Sequence, residues 1–199
     1  MVKIKICGLR RLEDIRIVNK YKPDYVGFVF ADSKRKVSPE IAKELKDNLS
    51  SDIIPVGVFV DAPQDEILKL FNDDVIEIAQ LHGREDEDYI NSLKENTNNE
   101  LKIIKAIEMS EDEDLSKYDD SPADYLLLDS GKGSGKTFDW QLIRTDLKKE
   151  FFLAGGINST NVKKAIEEFD PYAIDLSSSL ETNDYKDENK IKEIMEAIN

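Results

Sequence analysis

Eight short apolar runs recur along the chain: KIKIC (3–7), YVGFVF (25–30), IPVGVFV (54–60), IEIAQL (76–81), LKIIKAI (101–107), DYLLLDS (124–130), FFLAG (151–155) and YAIDLSS (172–178). Their starts fall roughly every 25 residues, just enough for a strand and a crossover helix. The segments between them carry apolar residues at helical spacing, as in IAKELKDNL, DEILKLF and NVKKAIEEF. Most of the runs are apolar on both faces, as parallel strands covered by helices must be. Eight such units with no break in composition predict a single α/β domain over residues 1–199, a small (β/α)8 barrel of eight parallel strands. A doubly wound sheet is the competing architecture. It usually carries G-x-G-x-x-G after its first strand, where this chain reads CGLRRLED. The least regular unit is the fifth, whose helix would come from EDEDLSKYDDSPAD, an acidic run better read as solvated helix and loop.

Charge narrows the partners. The chain has 42 acidic and 28 basic residues, a net charge of −14. That sign disfavours nucleic acid and anionic membrane, but leaves room for a small anionic ligand held by a few local donors. MVKIKICGLRRLED has no apolar stretch of signal-peptide length, and no run of 18 apolar residues occurs, so the expected location is cytoplasmic. One cysteine rules out an internal disulfide and fits a reducing compartment. One histidine and no CxxC predict no structural metal site. Monomer and homodimer both remain open.

In a parallel barrel, chemistry gathers where the strands end and the βα loops begin. Side chains alternate faces along a strand, so parity selects those that point inward. With Ile4 and Ile6 facing the helices, Lys3, Lys5 and Cys7 face inward, Cys7 last before Gly8. Leu126 and Leu128 share one face and Asp129 ends the other; Asp175 and Ser177 lie opposite Ile174 and Leu176. A thiol and two carboxylates therefore converge on one mouth. Alone, Cys7 reads as a small buried hydrophobe, and each aspartate as a loop cap. The coincidence of three strand-end placements favours a site.

Two later segments suit phosphate. LAGGINSTNV (153–162) ends a strand with two glycines and opens a helix with Asn158 or Ser159 as N-cap. DLSSS (175–179) offers hydroxyls and backbone N–H groups after the eighth strand. Loops after strands seven and eight are the recurrent phosphate site of this barrel. GKGSGKT (131–137) imitates a P-loop, but counting back from Gly135 places Ser130 where the first glycine belongs. Its glycines suit a lid over a ligand, with Thr137 or Asp139 capping a helix near Trp140.

The ordered series KICGL (5–9), GFVF (27–30) with SKRKVSP (33–39), VGVFVD (56–61), QLHG (80–83), LLLD (126–129), GSGKTFDW (133–140), LAGGIN (153–158) and DLSSSLE (175–181) resembles the phosphoribosylanthranilate isomerase family of tryptophan biosynthesis over essentially the whole chain. The resemblance implies a cofactor-free Amadori rearrangement of N-(5-phosphoribosyl)anthranilate to 1-(2-carboxyphenylamino)-1-deoxyribulose 5-phosphate. It also assigns roles. Cys7 is the general base acting at C2 and Asp129 the general acid at the ring oxygen. Arg35 meets the anthranilate carboxylate, and Asp175 lies near the amine and hydroxyls. Gly155, Gly156, Ser177 and Ser178 bind phosphate. Two departures stand out. Ser179 replaces a glycine usual in the family, and so must supply a backbone shape often left to glycine. The lid, and the FADSKR loop by one residue, are shorter than in relatives.

The residues suit this chemistry independently. A free thiol is mostly protonated at neutral pH, so the site must stabilise its anion, through Lys5 or the substrate iminium. Asp129 must hold a proton, through desolvation or a neighbouring anion such as Asp175. Three alternatives remain: the sister isomerase of histidine synthesis, with aspartate where Cys7 stands and two phosphate sites; an indole-glycerol-phosphate synthase or epimerase, which wants a lysine or metal constellation; and a silent sugar-phosphate-binding regulator.

Overall fold

The computed structural model describes residues 2–110, 113–129 and 147–198. Eight parallel strands close into a barrel in chain order: β1 Lys3–Cys7, β2 Tyr25–Val29, β3 Ile54–Phe59, β4 Ile78–Leu81, β5 Lys102–Glu108, β6 Tyr125–Asp129, β7 Phe151–Leu153 and β8 Ala173–Leu176. Closure is made by β8 on β1, with Lys5 opposite Asp175 and Ile6 opposite Leu176. Outside lie α1 Leu12–Tyr21, α2 Pro39–Asp47, α3 Gln64–Asn72, α4 Glu87–Asn96, α5 Val162–Phe169 and α6 Glu188–Ile198. A short antiparallel hairpin, β9 Glu181–Thr182 and β10 Tyr185–Lys186, separates β8 from α6.

Local chemistry explains the boundaries. Before α2, Ser38 accepts a hydrogen bond from the Ile41 N–H at 3.3 Å and Pro39 opens the helix; before α4, Asp86 accepts from Tyr89 N–H at 2.9 Å. β7 stops at Leu153 because Gly155 and Gly156 take φ of 83° and 67°, which no ladder accommodates. In the fifth unit the described residues hold only a 3-10 turn, Leu115–Tyr118, begun by Asp114. Leu115 is its sole buried residue, so the segment lacks the apolar stripe that would hold an α-helix on the barrel. Among the described residues, no helix is long and apolar enough to cross a membrane.

Alternation along the strands sorts two apolar layers. Ile4, Ile6, Phe28, Leu126, Leu128 and Ile174 pack outward against the helices. Tyr25, Val56, Ile78, Ile104, Leu127 and Phe152 fill the barrel interior. At the N-terminal end the Lys3 amine donates to the Tyr172 hydroxyl at 2.7 Å and the Tyr25 hydroxyl at 3.3 Å, closing the floor. The upper interior is polar, and it is there that the barrel opens.

Candidate functional site

Cys7 stands at the top of β1, 8% exposed, packed on Val29 and Val58. Its seat depends on Gly27, its neighbour on β2, where a Cβ would lie 2.6 Å from Sγ and 3.0 Å from the Cys7 Cα. Gly27→Ala must therefore displace the thiol. The expected result is a stability loss of about 1–3 kcal/mol, as for other overpacked cores, with a fall in kcat, read from thermal melts and steady-state rates.

Below Cys7, the wholly buried Lys5 donates to Asp175 Oδ2 at 3.0 Å and to Gln80 Oε1 at 2.8 Å. Parity thus brings Cys7, Lys5 and Asp175 together as the alternation required. Burial opposes the charge on Lys5, but Asp175 holds its pKa above the ordinary value. For Cys7 the balance goes the other way. Burial pushes the thiol up, and the pull of Lys5 and Lys186 offsets only part of it. Lys5 alone therefore does not make the resting thiolate that the sequence left as one option. Asp175 Oδ1 is buried with no hydrogen-bond partner among the described residues, an acceptor suited to a ligand hydroxyl or N–H.

Asp129 ends β6, with His82 Nε2 at 3.6 Å from its Oδ2. The histidine's orientation comes from Gln80. Because Lys5 occupies Oε1, the amide presents Nε2, which donates to His82 Nδ1 at 3.3 Å. The imidazole proton is then on Nε2, facing Asp129. The chain Asp175–Lys5–Gln80–His82–Asp129 spans the mouth from β8 to β6. Behind it, buried Lys105 donates to the Gly83 carbonyl at 2.7 Å and to Glu85 at 3.0 Å, and Glu85 accepts from the Gly83 N–H at 2.9 Å, fixing the loop after β4. GKGSGKT, with its lid and the Thr137 or Asp139 cap, lies outside the described residues.

Arg35 reaches the same rim. Its Cδ lies where a Cβ on Gly8 would be, 2.5 Å away, so the guanidinium stem crosses directly over the end of β1. Its fork is half occupied: Nε and Nη2 each donate at 2.7 Å to the two oxygens of Glu181. Glu181 also accepts from Lys186 at 2.7 Å. Sequence reasoning singled out neither residue. The only signal was the glutamate ending DLSSSLE, since Lys186 sits in a charged stretch that reads as solvated surface.

The phosphate segments stand beside this rim. Gly155 and Gly156 are left-handed, and the Gly156 side-chain direction is open, so backbone is presented without cover. The helix cap differs from the expectation. α5 begins at Val162 after Asn161, while Asn158 accepts from the Thr160 N–H at 2.9 Å and the Asn161 amide donates to the Gly156 carbonyl at 3.0 Å. Asn158 folds the glycine loop rather than capping a helix. The Ser177 hydroxyl donates to the Cys7 carbonyl at 3.2 Å, and exposed Ser178 begins a 3-10 turn, Ser178–Leu180. Ser179 lies inside that turn without a positive φ, so its position makes no demand for glycine.

The described residues contain no group of three or more His, Cys, Asp or Glu arranged to hold a metal ion. A groove of about 760 Å³ on the flank between α2 and α3, lined by Val37, Pro39 and Leu70 among others, includes none of Cys7, Asp129 or Asp175.

Comparison with known proteins agrees with this geometry. Residues 4–197 match the family model described as N-(5'phosphoribosyl)anthranilate (PRA) isomerase. The chain is 43% identical to the N-(5'-phosphoribosyl)anthranilate isomerase of Clostridium acetobutylicum, covering 98% of this chain and 97% of the relative, and 45% identical to that of Clostridium kluyveri over 100% and 98%. Among solved structures, phosphoribosylanthranilate isomerase from Thermotoga maritima superposes with a TM-score of 0.89 at 36% identity, covering 99% of this chain and 98% of that one. One solved with reduced 1-(o-carboxyphenylamino)-1-deoxyribulose 5-phosphate gives 0.87 at 34% identity over the same shares. With the barrel, the strand-end thiol and the full-length matches all in accord, the chain belongs to the phosphoribosylanthranilate isomerase family.

Proposed function

We propose that Cys7 is the base and Asp129 the acid with which this isomerase of N-(5'-phosphoribosyl)anthranilate carries out its step in tryptophan biosynthesis. Asp129 protonates the ring oxygen, the furanose opens to an iminium at C1, and Cys7 removes the C2 proton. The resulting enol becomes the ketone of 1-(2-carboxyphenylamino)-1-deoxyribulose 5-phosphate. The iminium supplies the positive charge that draws the buried thiol toward its anion at the moment it is needed. Arg35 takes the anthranilate carboxylate with the Nη1 edge that Glu181 leaves unspent. Asp175 Oδ1 accepts from the amine or hydroxyls, and Gly155, Gly156, Ser177 and Ser178 enclose the phosphate. Because the Ser177 hydroxyl hydrogen is committed to Cys7, its contribution to phosphate comes through backbone.

The observation that carries this reading is the rim itself: thiol, two carboxylates and a half-used arginine around one barrel mouth. Its test is turnover. Purified protein mixed with phosphoribosylanthranilate should extinguish the substrate's fluorescence with saturable kinetics and without added cofactor. No loss above the spontaneous rate would contradict it. Arg35→Met should lower kcat/KM by about 2–3 kcal/mol, mainly through KM, because a charged partner is removed from the carboxylate. An unchanged KM would move the anthranilate pocket elsewhere.

A further inference from the structure

We infer that Glu181 is a positioning residue that sets the enzyme's selectivity for a carboxylated aryl group, by fixing the Arg35 fork and tying it to the loop after β8. Glu181 lies 146 residues from Arg35 in the chain, yet its side chain is 6% exposed and gives both oxygens to that guanidinium at 2.7 Å. One of these oxygens also accepts from Lys186, whose side chain is 1% exposed. Lys186 in turn donates to the Ser177 carbonyl at 3.1 Å, and the Ser177 hydroxyl reaches the Cys7 carbonyl at 3.2 Å. Arginine recognition, the proposed phosphate loop and the thiol strand are thus joined through one carboxylate.

Charge gives the assembly its selectivity. Two cations meet one internal anion, leaving a surplus of one positive charge, which a single ligand carboxylate neutralises. Burial works against the Glu181 charge, but Arg35 and Lys186 prevail and hold its pKa down to about 2, so the carboxylate is ionised across the working range. A bidentate carboxylate also fixes the plane of a guanidinium, which otherwise swings on a long flexible stem. Without Glu181, Arg35 and Lys186 repel each other, and the free Nη1 edge loses its aim.

This inference rests on the proposal that Arg35 meets the anthranilate carboxylate, and the test separates the two. Binding of the product and of its analogue with phenyl in place of carboxyphenyl is measured by calorimetry for the wild type, Arg35→Met, Glu181→Ala and Glu181→Asp. Glu181→Asp keeps the charge but is one methylene too short to grip the fork, and it carries the comparison should Glu181→Ala not fold. Both Glu181 variants should lower the ratio of product to analogue affinity by at least about tenfold, the scale of a charged hydrogen bond. KM should rise while kcat changes by less than about threefold, since no reacting group is touched. Ratios that stay at the wild-type value in both Glu181 variants, while Arg35→Met lowers its own, would overturn the role of Glu181 alone. An unchanged ratio in Arg35→Met would overturn the arginine reading and this inference with it.

Discussion

Cys7→Ala is expected to lower kcat by at least about a hundredfold, the lower end of what a general base contributes. The protein should stay folded, because only one sulfur leaves the small cluster with Val29 and Val58, at a cost of about 1 kcal/mol. No neighbour can assume the task from the same place: Lys5 is spent on Asp175 and Gln80, and Asp175 lies one strand away. The pH profile carries a second expectation. Burial raises the thiol pKa in the free enzyme, so the alkaline-rising limb of kcat/KM should lie above the ordinary thiol range. In the complex the iminium favours the thiolate, so the corresponding limb of kcat should lie at lower pH. Rates and circular dichroism of the variant, with the two wild-type profiles, check these points. Coincident limbs would remove the iminium from the account of thiolate formation.

Asp129→Asn should also cost at least about a hundredfold in kcat, for the opposite reason: an amide has the shape of the acid but no proton to give the ring oxygen. His82 holds its Nε2 proton 3.6 Å from Asp129, which orients the carboxyl but leaves it as the group nearest the substrate. Product affinity should survive the change, since the anchors proposed at Arg35, Gly155 and Gly156 are untouched. Steady-state rates and product titration measure both. A variant within tenfold of wild-type kcat would send the search for the acid to another residue, with His82 first.

These contacts explain what was legible in the sequence. The period of the apolar runs reports the barrel because every strand must be covered on both faces, and parity then reports who meets inside. Lys5, Cys7 and Asp175 are found that way because β1 and β8 are neighbours in register. Gln80 was available to the same reasoning as a polar residue on the inward face of an apolar run, yet its partners lie on other strands and only closure reveals them. Glu181 and Lys186 were hidden for a different reason. Their burial depends on a two-residue hairpin and on an arginine far away in sequence, while locally they look like charged surface. The fifth helix failed where the apolar stripe failed, and the α5 start shifted because Asn158 bonded within its own loop rather than to a helix.

The central claim, that this chain isomerises its substrate with its one thiol, is tested most directly by alkylating that thiol. Cys7 is the only cysteine, so every equivalent of reagent incorporated reports on it alone. Activity should fall in proportion to alkylation and reach the level of Cys7→Ala at one equivalent, at a rate that rises with pH and is slowed by saturating product. Fully alkylated protein that still turns over phosphoribosylanthranilate at the wild-type rate would contradict it.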